Sequence, residues 1–245
     1  MESKEYDIMS KAQDSHWWYR GMAAITKAII GEYFAGGQSL RILDAGCGTG
    51  AGMAILKSYG MVFGFDISGH AINACKDRGE NRLAMASLMA LPFESESFDL
   101  VTSFDVLYYE NVQDEEALQE FKRVLVPGGK LFVRVPAFDW LRGIHDEKVS
   151  TGHRYTLKEL SQKIQECGLD IRFMSYANTF LFPLIALKRL TEGWVFRQTN
   201  SDLALDLGHL DKAFLQCLKL ESRILKRKTL PFGLSLIALG EKTTA

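Results

Sequence analysis

Leu43-Asp44-Ala45-Gly46-Cys47-Gly48-Thr49-Gly50 joins the end of an apolar strand to a glycine turn, and the turn runs directly into a helix. Upstream, Leu40, Ile42 and Leu43 form the short apolar run that a parallel strand buried on both faces requires. Downstream, Met53, Ala54 and Leu56 open a helix. Glycines at 46, 48 and 50 allow positive φ and let a ligand approach the backbone where a Cβ would obstruct it. Asp44 stands at the strand's carboxyl end, the edge at which open α/β sheets bind ligands. The stretch reads as a site for a nucleotide-type cofactor. Which cofactor is open at this point, because Gly46-Cys47-Gly48-Thr49-Gly50-Ala51 also fits the dinucleotide fingerprint GxGxxA.

Outward from this turn, strands and helices alternate, the pattern of a parallel sheet covered on both faces. Strands are predicted at Leu40 to Asp44, Met61 to Asp66, Arg82 to Ala86, Phe98 to Phe104, Lys130 to Val135, Leu169 to Tyr176 and Leu234 to Leu239. Ser68 is placed to cap the helix through Ala71, Ile72 and Cys75. Leu118, Phe121, Val124 and Leu125 align on a second helix, which Pro127-Gly128-Gly129 is expected to stop. Thr156-Leu157-Lys158-Glu159 is a capping box, and Gly168 ends the helix it opens. Residues 177–230 form a helical insertion before the last strand. The whole chain, 1–245, is expected to be one domain: an N-terminal helical lid (1–38), a cofactor-binding core (39–176), the insertion as a cap (177–230) and a final strand (231–245).

With 245 residues, 47% hydrophobic and 24% charged, the chain has the composition of one α/β domain. Its 29 Lys plus Arg against 30 Asp plus Glu give a net charge of -1, so no overall field draws in a polyanion and nucleic acid is not the expected partner. Cys47, Cys75, Cys167 and Cys217 show neither CxxC pairing nor regular spacing, which suggests reduced core thiols in a cytoplasmic protein and no metal site. No signal peptide is expected from the polar start Met1-Glu2-Ser3-Lys4-Glu5. The apolar run Phe180 to Leu187 contains Pro183 and falls short of the ~20 residues of a membrane span. Lys219, Arg223, Lys226, Arg227 and Lys228 form a local basic cluster, ordinarily a solvated helix face, with peripheral membrane contact as the minority reading.

Three further segments separate the candidate cofactors. Asp66 ends the second strand, where a carboxylate can accept two ribose hydroxyls. Leu91-Pro92-Phe93 is followed by Ser97-Phe98-Asp99-Leu100-Val101, and then comes Arg123-Val124-Leu125-Val126-Pro127-Gly128-Gly129-Lys130-Leu131. In this order, from about residue 40 to 136, the chain resembles the class I S-adenosylmethionine-dependent methyltransferases. The resemblance implies a Rossmann-like, doubly wound seven-stranded sheet with an antiparallel last strand. It also implies S-adenosyl-L-methionine as cofactor and S-adenosyl-L-homocysteine as product.

Carried over by position, the resemblance places Asp44, Ala45, Gly46, Cys47 and Gly48 around the methionine moiety, Asp66 on the ribose and Ile67 against the adenine. Ser87 stands where relatives often carry an acidic residue for the adenine amine, so that contact falls to its hydroxyl or to the Leu88 amide. Phe104 matches the position whose carbonyl meets the methionine amino group, and Tyr109 is read as a pocket wall. Two outer segments, His16-Trp17-Trp18-Tyr19-Arg20 and Val135-Pro136-Ala137-Phe138-Asp139-Trp140-Leu141, tighten the resemblance to a bacterial-type branch. Trp17, Trp18 and Tyr19 precede a helix and serve either as an aromatic lid or as a hydrophobic staple, and Arg20 is placed to reach the methionine carboxylate.

Methyl transfer from a sulfonium is an in-line displacement in which charge disappears, so alignment in a dry site is the main requirement. A base is needed only where the acceptor must lose a proton. His145 and Asp146, in the loop after the fifth strand, are the first candidates, with His153 second; an adjacent His-Asp pair serves equally as a loop-fixing unit. The [DNS]PPY and Pro-Cys signatures of nucleic-acid methyltransferases are absent from Ser103-Phe104-Asp105-Val106-Leu107-Tyr108. The expected acceptor is therefore a small or lipid-like, largely hydrophobic molecule, methylated on oxygen or nitrogen by a monomer or homodimer. A nicotinamide-dependent oxidoreductase and a noncatalytic S-adenosylmethionine-binding scaffold are the alternatives.

Overall fold

The computed structural model describes residues 12–34, 39–143, 146, 151–195 and 209–243. Seven strands, β1 (Leu40–Ala45), β2 (Gly60–Asp66), β3 (Leu83–Met85), β4 (Phe98–Phe104), β5 (Leu125–Pro136), β6 (Leu169–Ala177) and β7 (Ser235–Lys242), form one sheet in the order β3-β2-β1-β4-β5-β7-β6. All neighbours are parallel except β7, which runs antiparallel to both β5 and β6. Among the described residues the α-helices are α1 (Trp17–Tyr33), α2 (Ala51–Leu56), α3 (Gly69–Asp77), α4 (Asp114–Val124), α5 (Leu157–Glu166), α6 (Phe182–Val195) and α7 (His209–Leu225).

Side-chain alternation divides the strands between two cores. On one face Leu43, Val101, Leu131, Val133 and Ala238 meet Leu118 and Phe121 of α4 and Leu160 and Ile164 of α5. On the other Ile42, Leu100, Phe132, Ile237 and Leu239 meet Ile25 and Ile29 of α1, Met53 of α2, Ile72 of α3 and Leu218 of α7. This is the doubly wound sheet expected. Helices α6 and α7 fill the interval between β6 and β7, and α7 packs along α1. Gly21 is where they cross: a Cβ there would lie 2.2 Å from Leu218 Cδ1.

The local signals act largely as read. Ser68 accepts the Ala71 amide at the start of α3, and Thr156 and Glu159 form a reciprocal capping box on α5. Gly168, at φ 81, ends α5. Two expectations fail. Pro127-Gly128-Gly129 does not stop the preceding helix, because α4 ends at Val124 and the triplet lies within the span of β5. The β4 and β5 pairing slips there, between Phe98 and Leu100, and Gly129 turns so tightly that a Cβ would lie 2.8 Å from the Val126 carbonyl oxygen. Trp17 and Trp18 do not precede a helix; they are its first turn, because His16 Nδ1 accepts the Trp18 amide at 3.3 Å and caps α1 just ahead of them.

Candidate active site

Between β1 and β4 the strand order reverses direction, and the carboxyl edge of the sheet at such a point opens a crevice. A cavity of about 1110 Å³ occupies it. The glycine turn forms one wall. Gly46 and Gly48 hold φ of 74° and 54°, and the Gly46 and Cys47 amides both donate to the Phe65 carbonyl at 2.9 Å, pinning the turn to β2. A Cβ on Gly46 would come within 2.6 Å of Val106 Cγ2, whereas at Gly48 it would meet nothing within 4 Å. Gly46 therefore lets the loop after β4 close on the turn, and Gly48 leaves its backbone open to a ligand.

Two buried carboxylates flank the turn. Asp44 Oδ1 accepts the Thr102 hydroxyl at 2.8 Å, and Oδ2 faces α2, where glycine at 52 makes room: a Cβ there would lie 2.6 Å from it. Burial pushes the Asp44 carboxyl up to about 6, against the lowering effects of Thr102 and the Arg134 charge. Asp66 Oδ2 accepts the Gly48 amide at 3.0 Å and Oδ1 the Ser68 amide at 2.9 Å, so it locks the turn to the start of α3. The carboxylate retains acceptor capacity for a ligand hydroxyl. Burial also raises the Asp66 carboxyl, offset by amides of Ser68, Gly48 and Ile67.

For a ligand whose ammonium pairs with Asp44, the raised carboxyl makes binding pH-dependent. The folded protein holds a proton on Asp44 that the unfolded chain has released by about pH 4, so this group costs the cofactor-free protein stability as pH rises from about 4 to 6. A cationic ammonium-bearing ligand requires the ionised form. Affinity for S-adenosylhomocysteine is expected to fall as pH drops below about 6, approaching tenfold per unit, and Asp44→Asn should flatten the profile. Calorimetry from pH 7 to 5 checks it; an unchanged affinity in the parent protein contradicts it.

Of the other residues singled out in the sequence, Trp18, Tyr19, Arg20, Cys47, Ile67, Ser87, Leu88, Phe104 and Tyr109 line the same cavity. Ala45 is fully buried behind it. Cys47 Sγ lies 3.8 Å from Cys75 Sγ, and the Cys75 thiol donates to the Gly48 carbonyl at 3.2 Å, so these free thiols buttress the turn. Ser87 Oγ accepts the Met89 amide at 3.2 Å.

The proposed bases are placed differently from expectation. His145 lies outside the described residues. Asp146 lines the cavity, but its two oxygens accept Arg154 Nε and Nη2, both at 2.9 Å, and Oδ2 also accepts the Gly143 amide at 2.8 Å. Burial raises its carboxyl, yet Arg154 and that amide outweigh burial and hold it below the usual range. This is the geometry of a loop-fixing pair, and a carboxylate so held is a weak base. His153 is not among the residues lining the cavity. Its Nε2 lies 2.6 Å from Glu159 and its Nδ1 3.5 Å from Asp139, carboxylates that draw the ring to the start of α5 instead.

Asp105 and Arg134 also line the cavity, and the sequence reading passed over both. Arg134 places Nε 2.7 Å and Nη2 2.6 Å from Asp105 Oδ2, with its guanidinium 4.9 Å from the Phe104 ring centroid. Asp105 has φ 56, a conformation uncommon for a side-chain-bearing residue and often found at functional sites. The available signal was a carboxylate at the end of β4, close to where Asp44 stands on β1.

A seven-stranded sheet of this order, with a glycine turn and two acidic strand ends at its switch point, is the Rossmann-like methyltransferase fold. Residues 43–133 match the family model described as a methyltransferase domain. An uncharacterized protein of Methanocaldococcus jannaschii is 30% identical over 169 residues, 66% of this chain and 71% of that protein. A human protein named as a probable tRNA methyltransferase 9B is 34% identical over 100 residues, 40% of this chain but 22% of the human one. Among solved structures, a Haloferax volcanii putative methyltransferase in complex with the Trm112 methyltransferase activator superposes with a TM-score of 0.64 at 18% identity, covering 99% of this chain and 96% of that one. The chain belongs to the class I S-adenosylmethionine-dependent methyltransferases. It is an S-adenosylmethionine-dependent methyltransferase, and the nicotinamide oxidoreductase alternative falls away.

Proposed function

We propose that this enzyme methylates oxygen or nitrogen of a small, largely hydrophobic molecule and releases S-adenosylhomocysteine. The observation that carries this reading is the cavity wall supplied by the outer helices: Trp17 and Trp18 of α1, Leu184 and Ile185 of α6 and Phe214 of α7, with Leu181 just ahead of α6. An acceptor with an apolar body is dehydrated on entering it, which favours a displacement that neutralises charge. Residues 1–38 serve as a lid and 177–230 as a cap on a single domain spanning the chain.

When bound, S-adenosylmethionine supplies a methyl group activated on a sulfonium. The turn at Gly46 to Gly48, with Asp44 and the Phe104 carbonyl, holds the methionine end, and Arg20 reaches its carboxylate. Asp66 takes the ribose hydroxyls, while Ile67, Ser87 and Leu88 surround the adenine. Tyr109 walls the acceptor space. His145 is the proposed base for acceptors that must lose a proton, and Asp146 fixes its loop through Arg154.

The human relative's name raises tRNA as a second acceptor class. The net charge of -1 and the apolar wall favour the small molecule. Release of S-adenosylhomocysteine should be measured across apolar phenols and amines, charged sugars and tRNA. Turnover with apolar acceptors is expected; turnover confined to tRNA or to a charged sugar overturns the proposal.

A further inference from the structure

The first turns of α6 break the rule that a solvent-facing helix side is polar. Pro183 and Leu187 are exposed outside the cavity and Leu184 stands at its rim, and among the described side chains from Phe182 to Leu187 none is polar. Nearby, the Phe182 ring meets that of Trp140 edge-on at 6.0 Å and that of Phe232 at a tilt at 5.4 Å. Phe180, Leu184, Leu187, Trp140 and Phe232 are between 41% and 61% exposed. Single exposed apolar residues are ordinary, but a group of large ones on adjoining segments marks an interaction face.

A run of positive charge adjoins it. Lys212, Lys219 and Arg223 recur along the outer side of α7, and exposed Lys226, Arg227 and Lys228 follow the helix. The two carboxylates of α7 do not neutralise this side, since Glu221 is fully buried and Asp211 half-buried. Lys228 stands four residues before Phe232, so the chain places the last cation within about 14 Å of the aromatic group. The cavity wall includes Leu184 of α6 and Leu210 of α7, each about half exposed, so the cavity opens at this cap.

We infer that the cap face of α6, Trp140 and Phe232, together with the basic side of α7, docks the enzyme on an anionic lipid bilayer. Aromatic and aliphatic side chains enter the headgroup boundary while lysines and arginines meet lipid phosphates, the combination that interfacial elements use. No described helix is long and apolar enough to cross a membrane, so the contact is peripheral. Seated this way, the cavity mouth faces the lipid, and an apolar acceptor passes from bilayer to site without crossing water. That last step rests on the proposed hydrophobic acceptor; the docking does not.

Sedimentation of the full chain with vesicles separates the two, because it reads binding and not turnover. Vesicles of phosphatidylcholine mixed equally with phosphatidylglycerol are expected to carry the protein down, phosphatidylcholine alone far less, and raised salt should release it. Reversing Lys226, Arg227 and Lys228 to Glu should weaken binding about 100-fold. Leu187→Glu should also weaken it, and unchanged S-adenosylhomocysteine binding would show that both variants remain folded. Equal binding to neutral and anionic vesicles, or no difference between parent and charge-reversed protein, overturns the proposal. So does absence of sedimentation with either vesicle, which would turn the face over to a protein partner.

Discussion

Asp66→Ala is expected to weaken S-adenosylhomocysteine binding by more than about 100-fold, the largest cofactor effect of any single substitution in the site. A hydrogen bond to a charged group contributes about 1.5–3 kcal/mol, and the ribose assignment asks Asp66 for two of them. The change also removes the acceptors of the Gly48 and Ser68 amides, at 3.0 and 2.9 Å, so the turn itself loses its tie to the start of α3. Asp66→Asn separates these effects. Its amide oxygen can keep one backbone bond while the charge is gone, so an intermediate affinity is expected. Calorimetry gives the affinities, and the ligand-induced rise in melting temperature should shrink in parallel. If Asp66→Ala binds as tightly as the parent, the ribose belongs to another residue.

The glycine turn and its two carboxylates were legible because their signals are local. A strand, a glycine turn and an acidic strand end are contiguous in sequence, and the sheet that gathers Asp44 and Asp66 follows from the alternation of β and α. Boundaries failed where tertiary pairing overrode punctuation: β5 starts at Leu125 because it pairs Phe98 before the Pro127-Gly128-Gly129 turn, not after it. The rest of the site was less legible because its partners are distant in the chain. Arg134 meets Asp105 across 29 positions, and no periodicity announces such a pair. From the sequence, Asp146 ranks ahead of His153 as a base. Their roles diverge only through Arg154, Glu159 and Asp139, whose side chains the fold brings to them.

Glu221 is the extreme case of a residue with no sequence signal, and its replacement should have the largest effect on stability. It sits in α7 among lysines and arginines, where a glutamate reads as one more surface charge. In the structure it is fully buried, and it accepts the backbone amides of Asn178, Thr179 and Phe180, which link β6 to α6. Asn178 holds φ 63 there, so the chain turns sharply and its amides point away from any strand partner. Burial raises the Glu221 carboxyl, while the three amides oppose that rise, so part of the carboxylate's cost is offset by the segment it organises. Glu221→Leu leaves those amides without acceptors at about 1–3 kcal/mol each, the long Phe180 contact contributing least. A loss of roughly 3–6 kcal/mol is a large part of a typical domain's stability, and at about 2–4 °C per kcal/mol it lowers the melting temperature by about 6–24 °C. Glu221→Gln keeps one acceptor oxygen and should fall between. Thermal unfolding of the three proteins decides it: a Leu variant melting with the parent would mean that the β6 to α6 connection is held by its packing and not by this carboxylate.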